Sequence, residues 1–313
     1  MTIALDMMGG DFAPVEAMKG VGLYLSGNNS NDSLLLTGDE FQLTPLLSQF
    51  SISPERVRII HASQVIGMHE HPTKALKEKT DSSIGIGFHL LASGKADAFI
   101  SAGNTGAMLV GAMYTIKAID GVSRPTISTL IPKEGGNTGL LVDVGLNADC
   151  KPEYLNQFAV LGSLYARHIL SISEPRVALL NIGEEEGKGN LLAQAAYPLL
   201  KENKSIHFIG NIEGRDVLLD KADVMVCDGF TGNVVLKMAE SFYDITQRQQ
   251  ISHNYLERFN FENYGGTPVL GVAKPVIIGH GISRAKAFFN MILLAEKMVA
   301  TDVCGKMHAS FNA

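Results

Sequence analysis

Six short turns along this chain are rich in Gly, Asn, Ser and Thr, residue types that present hydrogen-bond donors to an anion, and in Asp, an acceptor that orients such donors. They are Asp6-Met7-Met8-Gly9-Gly10-Asp11, Ser101-Ala102-Gly103-Asn104-Thr105-Gly106, Asp143-Val144-Gly145-Leu146-Asn147, Asn181-Ile182-Gly183, Asp228-Gly229-Phe230-Thr231-Gly232-Asn233 and Gly279-His280-Gly281-Ile282-Ser283. Glycine lets the backbone approach a ligand closely, and a helix that follows such a turn points its unpaired N–H groups outward. One glycine turn is most simply a turn. The whole series, with amides, hydroxyls and carboxylates beside the glycines, argues for a bound anion.

The spacing narrows which anion. No turn reads G-x-G-x-x-G after a strand, because Ser101 stands where the first glycine belongs, so a dinucleotide fingerprint is missing. Gly183-Glu184-Glu185-Glu186-Gly187-Lys188-Gly189 is one spacer short of a P-loop, and Gly189 stands where a magnesium-binding Ser or Thr is needed. Its three glutamates also repel a triphosphate. A smaller anion such as orthophosphate remains. Lys188 is flanked by glycines and opens the helical run Asn190 to Leu200, where its charge opposes the helix dipole. A ligand explains that placement better than an idle surface lysine does.

Several residues carry two readings. Asp6, Asp11, Asp143 and Asp228 orient donors or cap helices, with capping expected for Asp11. Cys227 ends an apolar run beside Asp228 and is either a nucleophile or, as expected for a buried free cysteine, a small hydrophobe. His280 lies between two glycines and is either a site residue or a structural hydrogen-bonding group. His69 and His71 lack a third partner, so no metal site is expected. Lys74 and Lys77 lie one turn apart on a helix after Pro72, and form either a solvated face or a docking patch for an acidic partner, with Arg124 or Arg284 as further cations.

These turns need rigid elements behind them. Apolar runs at 3–5, 34–36, 57–60, 98–100, 127–131, 140–144, 177–180, 206–209, 224–227 and 276–278 read as strands, and most are continuous, as in strands covered on both faces. Helical spacing runs over Pro14 to Leu25, Pro152 to Leu170 and Arg284 to Val299. The alternation predicts a three-layer α/β/α sandwich with a mostly parallel sheet, formed by one domain over residues 1–313. The stretch Pro125 to Val144 predicts a hairpin around Glu134-Gly135-Gly136-Asn137. A 46% hydrophobic content supplies a core, and a net charge of -6 argues against nucleic acid as a partner. Cys150, Cys227 and Cys304 form no paired motif, no secretory signal opens the sequence and no run is long enough to span a bilayer, so a cytoplasmic location is expected.

Taken together, the turns resemble the PlsX family of phosphate acyltransferases. The matching stretches are 5–14, 101–107, 141–147, 179–183, 188–190, 208–213, 228–233 and 264–266, in the family's order and over nearly the whole chain. The resemblance implies a homodimer with a fold similar to isocitrate and isopropylmalate dehydrogenases and to phosphotransacetylase. It implies acyl transfer from acyl carrier protein to orthophosphate, giving an acyl phosphate for phospholipid synthesis, without a cofactor or metal. It implies Lys188 and Asn233 as catalytic residues. The phosphate or substrate site would comprise Gly9, Gly10, Asp11, Ser101, Gly103, Asn104, Thr105, Gly106, Asp143, Asn147, Asp228, Thr231, Gly232 and His280. Lys74 and Lys77 would dock the carrier protein. The family's longer basic segment before its Tyr-Gly-Gly turn is replaced here by the short stretch Ser241 to Asn263, whose aromatic residues would form an apolar tip or cover the dimer interface. A peripheral contact with the membrane or with a downstream acyltransferase belongs to the same expectation. Two alternatives stay open: a short-chain enzyme acting on coenzyme A thioesters, and a non-catalytic protein that binds lipid or acyl carrier.

Overall fold

Apolar runs become strands and amphipathic runs become helices, and the two types alternate through much of the chain. The computed structural model describes residues 1–27 and 32–312. The first stretch contains β1 (Thr2–Asp6), α1 (Val15–Gly27), β2 (Ser33–Gly38), α2 (Glu40–Gln49), β3 (Val57–His61), α3 (Pro72–Glu78), α4 (Ser83–Ala92), β4 (Ala98–Ser101) and α5 (Thr105–Gly111). A π-helical turn, Ala112–Ile116, continues α5. Next come β5 (Thr126–Pro132), β6 (Thr138–Val142), α6 (Pro152–His168), β7 (Arg176–Asn181), α7 (Leu191–Glu202), β8 (His207–Glu213), β9 (Val224–Val226), α8 (Gly229–Gln249) and α9 (Asn254–Glu257). The chain closes with β10 (Thr267–Leu270), β11 (Val276–Ile278), α10 (Ala285–Ala300) and α11 (Val303–Phe311).

The chain divides into two compact units, one comprising Met1–Ala118 and Glu262–Cys304, the other Ile119–Phe261 and the end from Gly305. In the first unit the strand order is β3-β2-β1-β4-β11-β10. All neighbours are parallel except β10 and β11. Leu34 and Ala98 flank Ile3, and Ile278 pairs with Ser101, so the carboxyl ends of β1, β4 and β11 share one rim. In the second unit the order is β5-β6-β9-β7-β8, with β5 and β6 antiparallel and the rest parallel. The predicted α/β class with mostly parallel strands is what forms.

Local signals explain where elements begin. Asn104, Asn190 and Asp228 cap α5, α7 and α8 by accepting the N–H groups of Ala107, Ala193 and Thr231. Helix α6 starts with Pro152, carries Glu153 in its first turn, and ends with Arg167 and His168, in line with its dipole. The predicted hairpin forms, closed by Lys133 N–H donating to the Asn137 carbonyl at 2.9 Å. Strand β10 escapes sequence reading because Pro268 and the preceding glycine pair mark that stretch as a turn. Both faces of the central strands are buried: Ile3, Ala4 and Leu5 in the first unit, and Leu140 to Val142 and Val224 to Val226 in the second, have no solvent exposure.

Candidate active site

The rim of the first unit is built on a buried carboxylate. Ser101 Oγ donates to Asp6 Oδ2 at 2.6 Å and accepts from Gly103 N–H at 2.9 Å, while Met8 N–H donates to Asp6 Oδ1 at 3.0 Å. Burial pushes the Asp6 carboxyl up, and the hydrogen bond from Ser101 opposes that shift. One carboxylate thus ties the turn after β1 to the turn after β4. Gly9 packs against Asp6 and Gly103, and Gly10 has φ 103°, a conformation that favours glycine. The third turn joins through Asp11 N–H, which donates to the Gly281 carbonyl at 2.7 Å. His280, half-buried, lies beside Gly281 in that turn.

Asn104 is fully occupied. Its amide donates to the carbonyls of Gly67, Met68 and Glu70 and its oxygen accepts Ala107 N–H, so it clamps the 67–70 loop and caps α5. The N–H groups of Thr105 and Gly106, at the start of α5, have no acceptor among the described residues. Those donors, with the exposed Thr105 hydroxyl, are what this turn offers a ligand. Asp11 departs from expectation. Helix α1 begins at Val15, and the exposed Asp11 carboxylate caps no helix.

The rim of the second unit repeats the device. Asp143, buried, accepts N–H groups from Gly145, Leu146 and Asn147 and the Asn147 side-chain amide, the last two at 2.7 Å. Asn147 also donates to the Pro125 carbonyl, and its own carbonyl accepts Gly229 N–H at 2.7 Å, which locks the turn after β6 to the start of α8. Asp228 accepts both Thr231 N–H at 2.8 Å and the Thr231 hydroxyl at 2.9 Å. The N–H of Gly232 is likewise spent, on the Asp228 carbonyl. Gly232 must be glycine, because a Cβ there would overlap the Asp143 carbonyl oxygen. The half-buried Asn233 amide lies against Gly145 and makes no hydrogen bond among the described residues.

Lys188 occupies the loop two residues ahead of the Asn190 cap and three ahead of Leu191, where α7 begins, and not the first turn as the sequence suggests. Its stem packs on Gly183, its carbonyl accepts from the Asn181 amide, and its exposed ammonium has no partner among the described residues. Two of the three neighbouring glutamates are paired, Glu184 with Lys221 at 2.8 Å and Glu186 with Lys201 at 2.9 Å, while the exposed Glu185 has no ion-pair partner among the described residues. Beside this loop lies a cavity of about 640 Å³ lined by residues that include Leu180, Asn181, Arg215, Asp228, Thr231 and Val235.

A family model described as fatty acid synthesis protein matches residues 1–306. A phosphate acyltransferase from Dictyoglomus turgidum is 44% identical, covering 100% of this chain and 98% of that one. One from Halothermothrix orenii is 42% identical, covering 100% and 99%. The chain belongs to the PlsX family of phosphate acyltransferases. Among solved structures, a phosphotransacetylase from Streptococcus pyogenes aligns with TM-score 0.66 and 17% identity, covering 96% of this chain and 94% of that one, a likeness of fold.

Within this PlsX chain the other candidates separate clearly. Lys74 and Lys77 are exposed on α3, and their ammonium groups are unpaired among the described residues. Arg284 instead stacks on Phe12, 4.2 Å from the ring centroid. Burial pushes the Cys227 thiol well up, and Cys227 Sγ donates to the Asp143 carbonyl, so it behaves as the small hydrophobe expected. Among the described residues no group of three or more His, Cys, Asp or Glu could hold a metal ion. The aromatic residues of the 241–263 segment form no apolar tip: Phe259 packs edge-on against both Phe242 and Tyr255, whose hydroxyl donates to the Pro132 carbonyl. Arg215 was not singled out from sequence. It directly follows β8 in Glu213-Gly214-Arg215, so reading the residues after every strand end would have found it.

Proposed function

We propose that this PlsX-family chain transfers the acyl group of an acyl-carrier-protein thioester to orthophosphate. A phosphate oxygen attacks the thioester carbonyl carbon, a C–O bond forms, and the C–S bond breaks. The carrier thiolate leaves with the electron pair and takes up a proton. A thiol whose ordinary pKa is about 8.5 is a good leaving group, so positioning and charge stabilisation suffice. The observation that carries this reading is that Lys188 and Asn233 present a cation and an amide with no internal partner, on turns whose other polar groups are largely satisfied internally. Lys188 neutralises phosphate charge and Asn233 holds a phosphate or oxyanion oxygen. In the first unit, the Thr105 and Gly106 N–H groups are further donors open to a substrate oxygen.

The exposed pair Lys74 and Lys77 docks the acidic carrier. A homodimer is supported by an apolar stripe on α8, where Phe230, Val234 and Met238 recur every fourth residue at 68%, 56% and 57% exposure. The acyl phosphate then feeds glycerol-3-phosphate acylation toward phosphatidic acid. That assigns the enzyme to the cytoplasm, peripheral to the membrane and its downstream acyltransferase; no described helix is long and apolar enough to cross a membrane.

The test is phosphate-dependent thiol release from long-chain acyl carrier protein, with acetyl-CoA and phosphate-free reactions as comparisons. Lys188→Ala and Asn233→Ala should each lower kcat by roughly 100-fold or more, the scale for losing one transition-state donor, with the thermal midpoint nearly unchanged. Turnover of acetyl-CoA alone, or of no thioester, would overturn the assignment.

A further inference from the structure

The first unit contains a groove of about 620 Å³ between α3, α4 and α5 with its π-helical continuation. We propose that this groove takes the fatty acyl chain of the thioester donor, an inference that rests on the acyl-transfer reading above. Its walls are mostly carbon: Leu76 from α3, Ile86, Phe88 and Ala92 from α4, Val110 and the ring of Tyr114 from α5 and its continuation. The volume falls within the range of about 300–1,000 Å³ usual for small-molecule sites.

Position argues for an acyl chain over other apolar occupants. Helices α3 and α5 begin side by side, since Pro72 packs directly against Gly106. The groove therefore runs down the same two helices whose starts flank the unpaired Thr105 and Gly106 donors. Val110 and Tyr114 lie four and eight residues beyond Gly106, roughly 6 and 12 Å along the axis at about 1.5 Å per residue. A thioester that engages the Gly106 donor thus directs its hydrocarbon tail along α5 into carbon-lined space.

Charge and exposure agree. Lys77 lines the groove and Lys74 stands one turn before it on α3, so unpaired cations accompany the apolar walls, as an acyl chain delivered by an acidic carrier requires. Glu78, also exposed on α3, is the acidic neighbour on that helix. Tyr114 is 73% exposed and stands on the π-helical turn, a rare backbone form found disproportionately at functional sites. A chain laid against its ring would remove both surfaces from water.

Ala92 and Thr115 line the groove and are solvent-exposed, so larger side chains there fill it without disturbing the core. Ala92→Phe and, independently, Thr115→Phe should lower kcat/KM for the hexadecanoyl carrier thioester more than about tenfold, since each buried methylene contributes about fourfold. The butanoyl carrier thioester should change less than about twofold by the same measure, and thermal midpoints should match the parent. Equal losses at both chain lengths, or no loss at either, would overturn the groove assignment. If the parent releases no thiol with any thioester, the acyl-transfer reading fails, and binding of labelled carrier decides the groove. Tighter binding of hexadecanoyl than butanoyl carrier, abolished by Ala92→Phe, upholds it; equal affinities overturn it.

Discussion

Lys133 is a lysine in the interior, and its cost should be measurable as a pH dependence of stability. Its side chain is 1% exposed, and its ammonium donates to the Val217 carbonyl at 2.9 Å and lies 3.5 Å from Met225 Sδ. Burial lowers its pKa from 10.5 to about 8, against the opposing pull of Asp220 and Asp223. Below pH 8 the group is protonated in both the folded and the unfolded chain, so folding carries the full cost of the buried charge. Between pH 8 and 10.5 the folded protein has released the proton and the unfolded chain still holds it. The unfolded state then binds more protons, and stability rises with pH. At about 1.4 kcal/mol per pH unit the whole climb is about 3 kcal/mol, of which about 2 kcal/mol falls between pH 7.5 and 9.5. Lys133→Met removes the titration while nearly preserving side-chain length. The chain has no tryptophan, so urea unfolding is best followed by far-ultraviolet circular dichroism. The difference in unfolding free energy between parent and Lys133→Met should shift by about 2 kcal/mol in the parent's favour from pH 7.5 to 9.5. The orphaned Val217 carbonyl costs the variant a pH-independent amount, which cancels. Parallel pH profiles would refute the reasoning.

Reversing Lys74 and Lys77 to Glu should raise KM for the carrier-bound thioester, an effect that weakens with added salt, and leave KM for phosphate unchanged; an identical KM for the carrier substrate would remove the docking role. Asp228→Ala removes the cap of α8 and the partner of the Thr231 hydroxyl, and should destabilise by about 1 kcal/mol in the same urea assay, whereas an unchanged midpoint would mean that the cap contributes nothing.

The turns were legible in sequence because Gly, Asn and Asp after apolar runs have few other uses, and a mostly parallel sheet follows from the alternation of strands and helices. The direction in which each polar side chain points was not. Asp6, Ser101, Asn104 and Asp143 lie in these turns, yet they face inward and spend their oxygens and amides on neighbouring groups of the protein. One-dimensional spacing cannot separate such a buttress from a ligand contact, since both require the same residue types. The same blindness hid Lys133, which follows β5 ahead of Glu134-Gly135-Gly136 and reads as a solvated turn lysine until Val217 and Met225 are seen to enclose it. It also shifted Lys188, whose loop runs on to Asn190 before α7 begins.

The carboxylates of the second unit's rim are accounted for by their partners. Asp143 gathers N–H groups from three consecutive residues, and Asp228 takes the N–H and hydroxyl of Thr231, so each negative charge is spread over donors that it also holds rigid. Glu184 and Glu186 are cancelled by Lys221 and Lys201. Once those pairs are removed, Lys188 and Asn233 are left, among the described residues of the second unit's rim, as side-chain donors without internal partners, beside a backbone fixed by Asp143 and Asp228. Preorganised donors need no reorientation when charge develops. The acidic residues therefore immobilise the turns, and among the described residues they leave the Lys188 ammonium and the Asn233 amide without internal partners.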